Sequence, residues 1–487
     1  MKTFESQILE PIFKNIEHYA ERNAFCIADT FYTYRQLGER IAQMRALIRQ
    51  EQLQNKIVGL AAHDSLDSYA TIFALWAEGS AYVALHPNWP KERLDEIIAQ
   101  AELEAIIDAG KVIRHDGNSP NENDLAYILF TSGSTGQPKG VMVSRSNLAA
   151  FVNSLQSSDC SYSSDDRALQ AYDLTFDASV LCYLPTAVIG GCSYTVPLNE
   201  IKYVYAGTLM ETHALTITLL VPSMLRYLSP YFAEMDLGSL RKVLIGADAL
   251  PLSLVEEFHK HVPNAEIYNA YGPSECTVMT NYYKLNFADD SVRKTYNGIV
   301  SVGKAMEGVT LIVVDEEGKP LPAGAKGELC IASAQVTQGY WKNEELTRRA
   351  YFIREIDGVK MRFYRTGDLC YIDADGDVMY IGRIDFQAKI QGFRVELGEI
   401  EQHARAFLNE ANVACLAFDN EKGLAELALF VETKEQNPEP LLQYLRSKMP
   451  HYMIPSRILF VPTFPLNGNG KTDRNKLKTS IKRIEND

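Results

Sequence analysis

Short apolar runs of strand length alternate along most of this chain with longer segments in which apolar residues recur every three or four positions. The strand-like runs are KIVGLAA, SAYVAL, AIIDA, LAYILF, LTITLLV and KVLIGA, and the segment TYRQLGERIAQMRALI has helical spacing. Alternation of strands with amphipathic helices is typical of parallel sheets covered by helices. The pattern therefore predicts an α/β fold with mainly parallel sheets.

The pattern changes twice toward the C-terminus. Between Gly298 and Ile331 short strand-like runs are separated by turn residues, which predicts a smaller β-rich subdomain. In the last hundred or so residues, NVACLAF and ELALFVE flank the turn DNEKG as a predicted hairpin, and ELGEIEQHARAFL and PLLQYLRSKM have helical periodicity. This last part is predicted to be a small α+β domain.

Composition restricts the class of protein. The chain has 487 residues, 46% hydrophobic and 23% charged, and a formal net charge of −14. The acidic balance argues against sequence-independent binding to nucleic acid or to an anionic membrane surface. The sequence has no stretch of transmembrane length and no signal-peptide pattern, so we expect a cytoplasmic protein. Its eight cysteines form no C-x-x-C pair, which favours reduced packing residues.

The run LAYILFTSGSTGQPKGV, from Leu125 to Val141, carries the most specific chemistry. Its glycines let the backbone approach an anion, its hydroxyls donate hydrogen bonds, and its lysine supplies positive charge. It is not a Walker A loop, because Pro138 precedes the lysine. A flexible linker is the alternative, but strand-like runs flank the loop on both sides. The predicted phosphate-binding residues are Thr131, Ser132, Gly133, Ser134, Thr135, Gly136 and Lys139.

This loop resembles the phosphate-binding signature of the adenylate-forming superfamily, which includes acyl-CoA ligases, luciferases and the adenylation domains of nonribosomal peptide synthetases. Further signatures follow in order, namely NAYGPSECTV, YRTGDLC, YIGRID and PLNGNGKTDR. The chain is identified as a member of this superfamily. The resemblance implies an N-terminal adenylation core over residues 1–384, with the nucleotide and amino acid site, and a mobile C-terminal lid domain over residues 385–487.

The resemblance also assigns nucleotide contacts. It implies that Tyr271 stacks on the purine of ATP, that Asn269 hydrogen-bonds the purine edge, and that Glu275 holds a Mg²⁺ ion that bridges phosphates. A carboxylate is a ligand type that suits Mg²⁺. Asp368 matches the ribose ligand, and Arg383 matches an arginine near the ribose and phosphate. The remaining residues expected along the nucleotide are Ala270, Gly272, Pro273 and Ser274.

Three further positions concern the reaction cycle. Asp385 matches the interdomain hinge, and Gly392 matches the lining of the channel for an acceptor thiol. Lys471 matches the catalytic lysine, whose charge would offset the repulsion between a substrate carboxylate and the α-phosphate. Two anions about 4 Å apart repel by roughly 4 kcal/mol at an effective dielectric near 20.

Asp177 decides the substrate class. It matches the aspartate that pairs with the α-ammonium group in amino-acid-activating relatives, although it could instead cap the helix that begins with ASVLCYL. The matched side-chain pocket is entirely apolar, which favours a large apolar amino acid such as leucine or phenylalanine. Tyrosine and tryptophan stay open as alternatives, since a polar tip could reach water or backbone. Its positions are Ala178, Leu181, Leu219, Leu244, Gly246, Ala270, Val278 and Met279.

Several alternatives stay open. A D-alanine ligase for a carrier protein would share nearly every motif, although Gly246 stands where such relatives commonly have cysteine. An acyl- or aryl-CoA ligase would share the nucleotide site and use free coenzyme A. A nucleotide-binding module without catalysis is disfavoured by Lys471, Glu275 and Asp368. The chain has no recognisable carrier or condensation segment, so we expect a stand-alone enzyme that serves a separate carrier protein.

Overall fold

The computed structural model describes residues 3–133, 137–385, 387–408, 412–433, 437–466 and 472–484. The chain divides into two compact units. The first unit comprises Met1–Pro87, Ile98–Phe130 and Gly140–Ile384, and the second comprises Asn88–Ile97, Thr131–Lys139 and Asp385–Asp487. The division at Ile384 and Asp385 lies where the hinge is predicted, but the second unit also takes in two segments that we assigned to the N-terminal core.

The helices lie in chain order between the strands. They are α1 (Glu10–His18), α2 (Tyr34–Gln50), α3 (Leu66–Ala77), α4 (Lys91–Ala101), α5 (Arg145–Gln156), α6 (Ala178–Ile189), α7 (Lys202–Thr212), α8 (Pro222–Leu228), α9 (Leu252–His259), α10 (Glu344–Ala350), α11 (Leu397–Phe407), α12 (Glu439–Lys448) and α13 (Arg474–Ile484). A π-helical segment, Glu5–Leu9, precedes α1, and short 3-10 helices cover Ser229–Glu234, Ser274–Cys276, Asp290–Val292 and His451–Met453.

The strands of the first half of the chain are β1 (Asn23–Ile27), β2 (Thr30–Thr33), β3 (Ile57–Ala61), β4 (Ala81–Leu85), β5 (Ala105–Asp108), β6 (Lys111–Arg114), β7 (Leu125–Thr131), β8 (Lys139–Ser144), β9 (Arg167–Gln170), β10 (Cys192–Thr195), β11 (Ile217–Leu220) and β12 (Lys242–Gly246). Those of the second half are β13 (Glu266–Tyr271), β14 (Asn281–Lys284), β15 (Thr295–Tyr296), β16 (Ile299–Val300), β17 (Lys304–Ala305), β18 (Val309–Val314), β19 (Gly327–Ser333), β20 (Tyr351–Ile356), β21 (Val359–Ile372), β22 (Val378–Arg383), β23 (Gln387–Ile390), β24 (Phe393–Glu396), β25 (Val413–Asp419), β26 (Ala425–Glu432) and β27 (Arg457–Val461).

Two large sheets organise the first unit over its described residues. In the larger, the order is β17-β14-β13-β12-β11-β9-β10-β1-β2, and the neighbours from β13 to β1 are parallel. In the other, the order is β6-β5-β3-β4-β7-β8, with β5, β3, β4 and β7 parallel. The strands β18 to β22 form a separate antiparallel sheet. The predicted α/β fold class and β-rich subdomain are confirmed.

Local sequence explains several of these elements. Strands β4 and β7 are buried almost throughout, as expected of parallel strands covered on both faces. Helix α2 begins with a capping box in which Thr33 and Gln36 satisfy each other's backbone N–H groups. In the second unit, β25 and β26 pair antiparallel across the predicted turn, and α11 and α12 cover the predicted helical segments.

Within the described ranges, no helix is long and apolar enough to cross a membrane.

Candidate nucleotide and amino acid site

The predicted side-chain pocket lies on three adjacent parallel strands of the first unit. Leu219 of β11 lies opposite Leu244 of β12, and Gly246 of β12 lies opposite Ala270 of β13. Because side chains alternate along a strand and residues in register share a face, these four positions lie on the same face of the sheet. A Cβ added at Gly246 would lie 2.5 Å from the Ala270 carbonyl oxygen, so the close approach of β13 requires glycine there.

Helix α6 carries two further predicted pocket positions and the predicted ammonium partner. Asp177 occupies its N-cap position and is only 8% exposed, yet its side chain makes no capping hydrogen bond. Local capping therefore does not account for this carboxylate. Ala178 and Leu181 are buried three residues apart on the first turn, so they lie on one face of the helix.

The loop that carries Val278 and Met279 has an unusual backbone. Thr277 and Val278 have φ values of 55° and 73°, a left-handed conformation that a β-branched residue rarely adopts. Gln335, which is 2% exposed, supports this loop, since its side-chain nitrogen donates to the Met279 carbonyl at 2.8 Å. The Thr277 hydroxyl donates in return to the Gln335 carbonyl at 2.7 Å. Sequence analysis missed Gln335, because no motif marks a residue that acts through backbone carbonyls.

Asp368, the predicted ribose ligand, contacts two other residues that are predicted to bind the nucleotide. The Tyr271 hydroxyl donates to Oδ2 of Asp368, and the Arg383 guanidinium donates to Oδ1 at 2.8 Å. Burial, together with the negative charge of Asp368, raises the pKa of Tyr271 well above its ordinary value, so the phenol stays a donor. Asn269 is 2% exposed and its amide donates to the carbonyls of Val300 and Ser301 at 3.2 and 2.9 Å, so both amide hydrogens serve the backbone.

The predicted metal ligand lies in the 3-10 helix that follows. Glu275 is 1% exposed, and the Tyr340 hydroxyl donates to its Oε1 at 2.6 Å. The Glu275 backbone carbonyl accepts from the Thr337 amide at 2.9 Å. A buried carboxylate that accepts from a neutral phenol suits a divalent cation, because the ion would compensate the buried charge. Tyr340 is a second residue that sequence analysis missed.

The turn before this carboxylate is also constrained. A Cβ at Gly272 would lie 2.4 Å from the Val278 carbonyl oxygen, so that position accepts only glycine without rearrangement. Pro273 is the N-cap residue of the 3-10 helix, and Ser274 is its first residue.

The described part of the phosphate loop belongs to the second unit. There the Ser132 hydroxyl donates to the Arg394 carbonyl at 2.8 Å, and the Gly133 amide donates to Oε2 of Glu399 at 3.0 Å. Lys139 forms an ion pair with Glu396 at 3.0 Å. Two carboxylates of the segment RVELGEIE thus contact predicted phosphate-binding residues of the loop, a pairing that the sequence did not predict.

The remaining predicted positions are as follows. The Thr131 hydroxyl lies 3.5 Å from the Lys139 carbonyl. Asp385 accepts the Gln387 amide at 3.1 Å, and Gly392 has φ 87° in the turn between β23 and β24. Ser134, Thr135, Gly136 and the predicted catalytic Lys471 lie outside the described residues.

Comparisons with known proteins agree with this arrangement. The family model described as "AMP-binding enzyme" matches residues 12–117 and 108–341, and "AMP-binding enzyme C-terminal domain" matches residues 399–471. The chain belongs to the AMP-binding enzyme family. The predicted superfamily is thereby confirmed, and the chain is an adenylation domain of the nonribosomal peptide synthetase type.

Individual relatives differ greatly in length. The chain is 31% identical over 489 residues to Tyrocidine synthase 2 of Brevibacillus parabrevis, covering 94% of itself but 13% of that protein. It is 31% identical to Zwittermicin A synthase ZmaJ of Bacillus cereus, covering 91% of itself and 89% of the relative. The crystal structure of the Vibrio cholerae adenylation domain AlmE, in complex with glycyl-adenosine-5'-phosphate, matches with a TM-score of 0.85 at 25% identity, over 98% of this chain and 97% of AlmE.

Proposed function

We propose that this protein activates a large apolar α-amino acid with ATP, releases pyrophosphate, and passes the aminoacyl group to the phosphopantetheine thiol of a separate carrier protein. The observation that carries the proposal is the pocket face, where four apolar or side-chain-free positions on β11, β12 and β13 share one side of the sheet. Such a surface favours hydrocarbon and offers no partner for a charged side chain.

Asp177 supports an amino acid over a plain carboxylic acid. The carboxylate is buried at the first turn of α6 and is not used to cap that helix. A buried carboxylate is stable when an ammonium group pairs with it, and the α-ammonium group of the substrate would serve. The same helix contributes Ala178 and Leu181 to the apolar wall, so the two parts of one amino acid would meet a charged and an apolar surface.

The first half-reaction follows from these roles. A carboxylate oxygen of the amino acid attacks the α-phosphorus of ATP, and the bond from that phosphorus to the bridging oxygen breaks as pyrophosphate leaves. Asp368 would accept the ribose hydroxyls, and Arg383 would contact the ribose and phosphate. Glu275 would hold Mg²⁺, whose charge offsets that of the phosphates. Lys471 would lower the repulsion between the two reacting anions.

The second half-reaction consumes the adenylate. The carrier thiolate attacks the aminoacyl carbonyl carbon, and AMP leaves as the carbon–oxygen bond to phosphate breaks. Asp385 would act as the hinge that changes which face of the 385–487 domain serves the reaction, and Gly392 would line the thiol path. Free coenzyme A is the alternative acceptor.

A second candidate is a small amino acid, such as glycine or D-alanine. The AlmE structure was solved with glycyl-adenosine-5'-phosphate, which favours this candidate. The side chains of Leu181, Leu219 and Leu244 would then face a small substrate and leave apolar space unfilled. The small substrate would make fewer van der Waals contacts and would therefore bind less tightly than a large one.

Mass spectrometry of the acyl-adenylates formed from an equimolar mixture of acids tests the proposal. The mixture contains leucine, phenylalanine, glycine, D-alanine, aspartate and an aryl acid, with ATP and Mg²⁺. We expect leucyl- or phenylalanyl-AMP to dominate. Dominant glycyl- or D-alanyl-AMP would favour the second candidate, and a dominant aryl adenylate would overturn the role of Asp177. Adding either a phosphopantetheinylated carrier protein or coenzyme A then identifies the acceptor by the mass of the thioester.

A further inference from the structure

A cysteine, an aspartate and a histidine meet at the edge of the larger sheet, away from every residue assigned above. The thiol sulfur of Cys26, a carboxylate oxygen of Asp29 and a ring nitrogen of His213 all lie within 4.8 Å of one another. Strands β9 and β10 separate β1, which carries Cys26, from β11, the nearest strand of the predicted pocket. At about 4.8 Å per strand spacing, the cluster is roughly 14 Å from the amino acid pocket.

The strand register places the thiol beneath the histidine. Cys26 lies between Phe31 of β2 and Tyr194 of β10 in the same row of the sheet, so the three side chains share one face. The His213 ring packs against both aromatic rings, with centroid distances of 5.7 Å to Phe31 and 5.0 Å to Tyr194. It therefore lies over the row that contains the thiol. Its position at the C-cap of α7 fixes the ring from the helix side.

Asp29 completes the cluster from the turn between β1 and β2. Its Oδ1 lies 3.3 Å from Nε2 of His213, and its Oδ2 accepts a hydrogen bond from the Tyr205 hydroxyl at 3.2 Å. A phenol that holds the second oxygen of a carboxylate orients the first oxygen, which is the usual arrangement behind metal ligands. The Asp29 side chain is 68% exposed, so an ion has a path from solvent.

We propose that Cys26, Asp29 and His213 form a zinc site, with water as the fourth ligand. Tetrahedral bonds of about 2.0–2.3 Å separate ligand atoms by roughly 3.3–3.8 Å, so these three atoms need shifts of less than about 1 Å. A thiolate and an imidazole select Zn²⁺ over Mg²⁺ or Ca²⁺. The charges of thiolate and carboxylate balance those of the ion.

Metal binding at this position would have a structural consequence. Binding of Zn²⁺ would release the thiol proton of Cys26 to solvent, because the thiolate is the form that binds the metal. The ion would tie the hairpin β1–β2, at the edge of the sheet, to the end of α7. Its effect is therefore on stability rather than on the adenylation chemistry.

Cobalt and zinc titrations of the full chain test the site. Co²⁺ should give a thiolate-to-metal charge-transfer band in the wild type at one ion per chain, and Zn²⁺ should displace it and raise the unfolding temperature. We expect Cys26→Ser to remove the band, and both Cys26→Ser and His213→Gln to weaken Zn²⁺ binding by about 100-fold or more. Tyr205→Phe should weaken it by about 10- to 100-fold.

Two matched controls keep the result specific. Cys160→Ser removes another buried cysteine of the first unit, and His261→Gln removes a histidine that lies 3.8 Å from Glu257. Both controls should bind cobalt as the wild type does. Because Cys26 is buried, His213→Gln and Asp29→Asn carry the test if Cys26→Ser does not fold. A wild type without the charge-transfer band, or Zn²⁺ affinity unchanged in His213→Gln and Asp29→Asn, would overturn the proposal.

Discussion

Replacing Asp177 with asparagine should separate recognition of the α-ammonium group from every other part of the reaction. Asparagine keeps the size of the side chain and removes its charge. Opposite charges about 4 Å apart attract by roughly 4 kcal/mol at an effective dielectric near 20, and breaking a buried pair by removal of one partner typically costs about 3–5 kcal/mol. Asp177 is 8% exposed, so the buried estimate applies. At about 1.4 kcal/mol per tenfold change, kcat/KM for the amino acid should fall by roughly 10²- to 4 × 10³-fold.

The assay compares two substrates in two enzymes. Pyrophosphate release is measured with the preferred amino acid and with the same acid lacking its α-amino group, in the wild type and in Asp177→Asn. The wild type should prefer the amino acid strongly, and the variant should lose most of that preference, with KM for ATP nearly unchanged.

Asp173→Asn is the matched control, since Asp173 is another buried aspartate four residues earlier and pairs with Lys202 at 3.3 Å. It should lose stability without losing the preference for the amino group. Equal loss of both substrates in Asp177→Asn, or the same loss of preference in Asp173→Asn, would refute the assignment of Asp177 as the ammonium partner.

Three further predictions rest on other contacts. Gln335→Ala removes the side-chain donor to the Met279 carbonyl in a strained loop, so the unfolding free energy should fall by about 1–3 kcal/mol, measured by chemical denaturation. In assays of pyrophosphate release, KM for the amino acid should rise while KM for ATP stays unchanged. The pKa of Asp173 is raised by burial but lowered overall by Lys202 and His86. The difference in unfolding free energy between the wild type and Asp173→Asn should therefore have its full value above pH 3.8 and decrease as the pH falls further. Urea denaturation against pH measures this difference, and an increase in acid would contradict the prediction. Glu396→Gln removes the ion pair with Lys139, for which Glu396 and a phosphate of ATP would compete. ATP should therefore bind a few-fold more tightly in isothermal titration calorimetry, and weaker binding would contradict this competition.

The fold was predictable because its signals are local. Runs such as LAYILF and KVLIGA are buried on both faces, and strands buried in this way are recognised in a sequence by their consecutive apolar residues. The positions Leu219, Leu244, Gly246 and Ala270 came from the resemblance to the superfamily, and their common face follows once the strand register is known. Asp368 and Arg383 were likewise found from motifs and meet across paired strands.

The sequence could not reveal partners that depend on tertiary contacts. Gln335 and Tyr340 lie 56 and 65 positions from the residues they support, Met279 and Glu275, and neither carries a recognisable pattern. The pairing of Lys139 with Glu396 joins groups 257 positions apart. The Cys26, Asp29 and His213 cluster escaped for the same reason, since its spacing matches no metal motif and only the sheet brings it together.

Amino-acid-dependent exchange between ATP and labelled pyrophosphate directly tests whether the protein activates a large apolar amino acid. Each proteinogenic L-amino acid, D-alanine and several aryl acids would be assayed singly, with Lys471→Ala as the inactive control. We expect exchange led by leucine or phenylalanine in the wild type and almost none in the variant. Exchange led by an aryl acid, or no exchange with any amino acid, would contradict it.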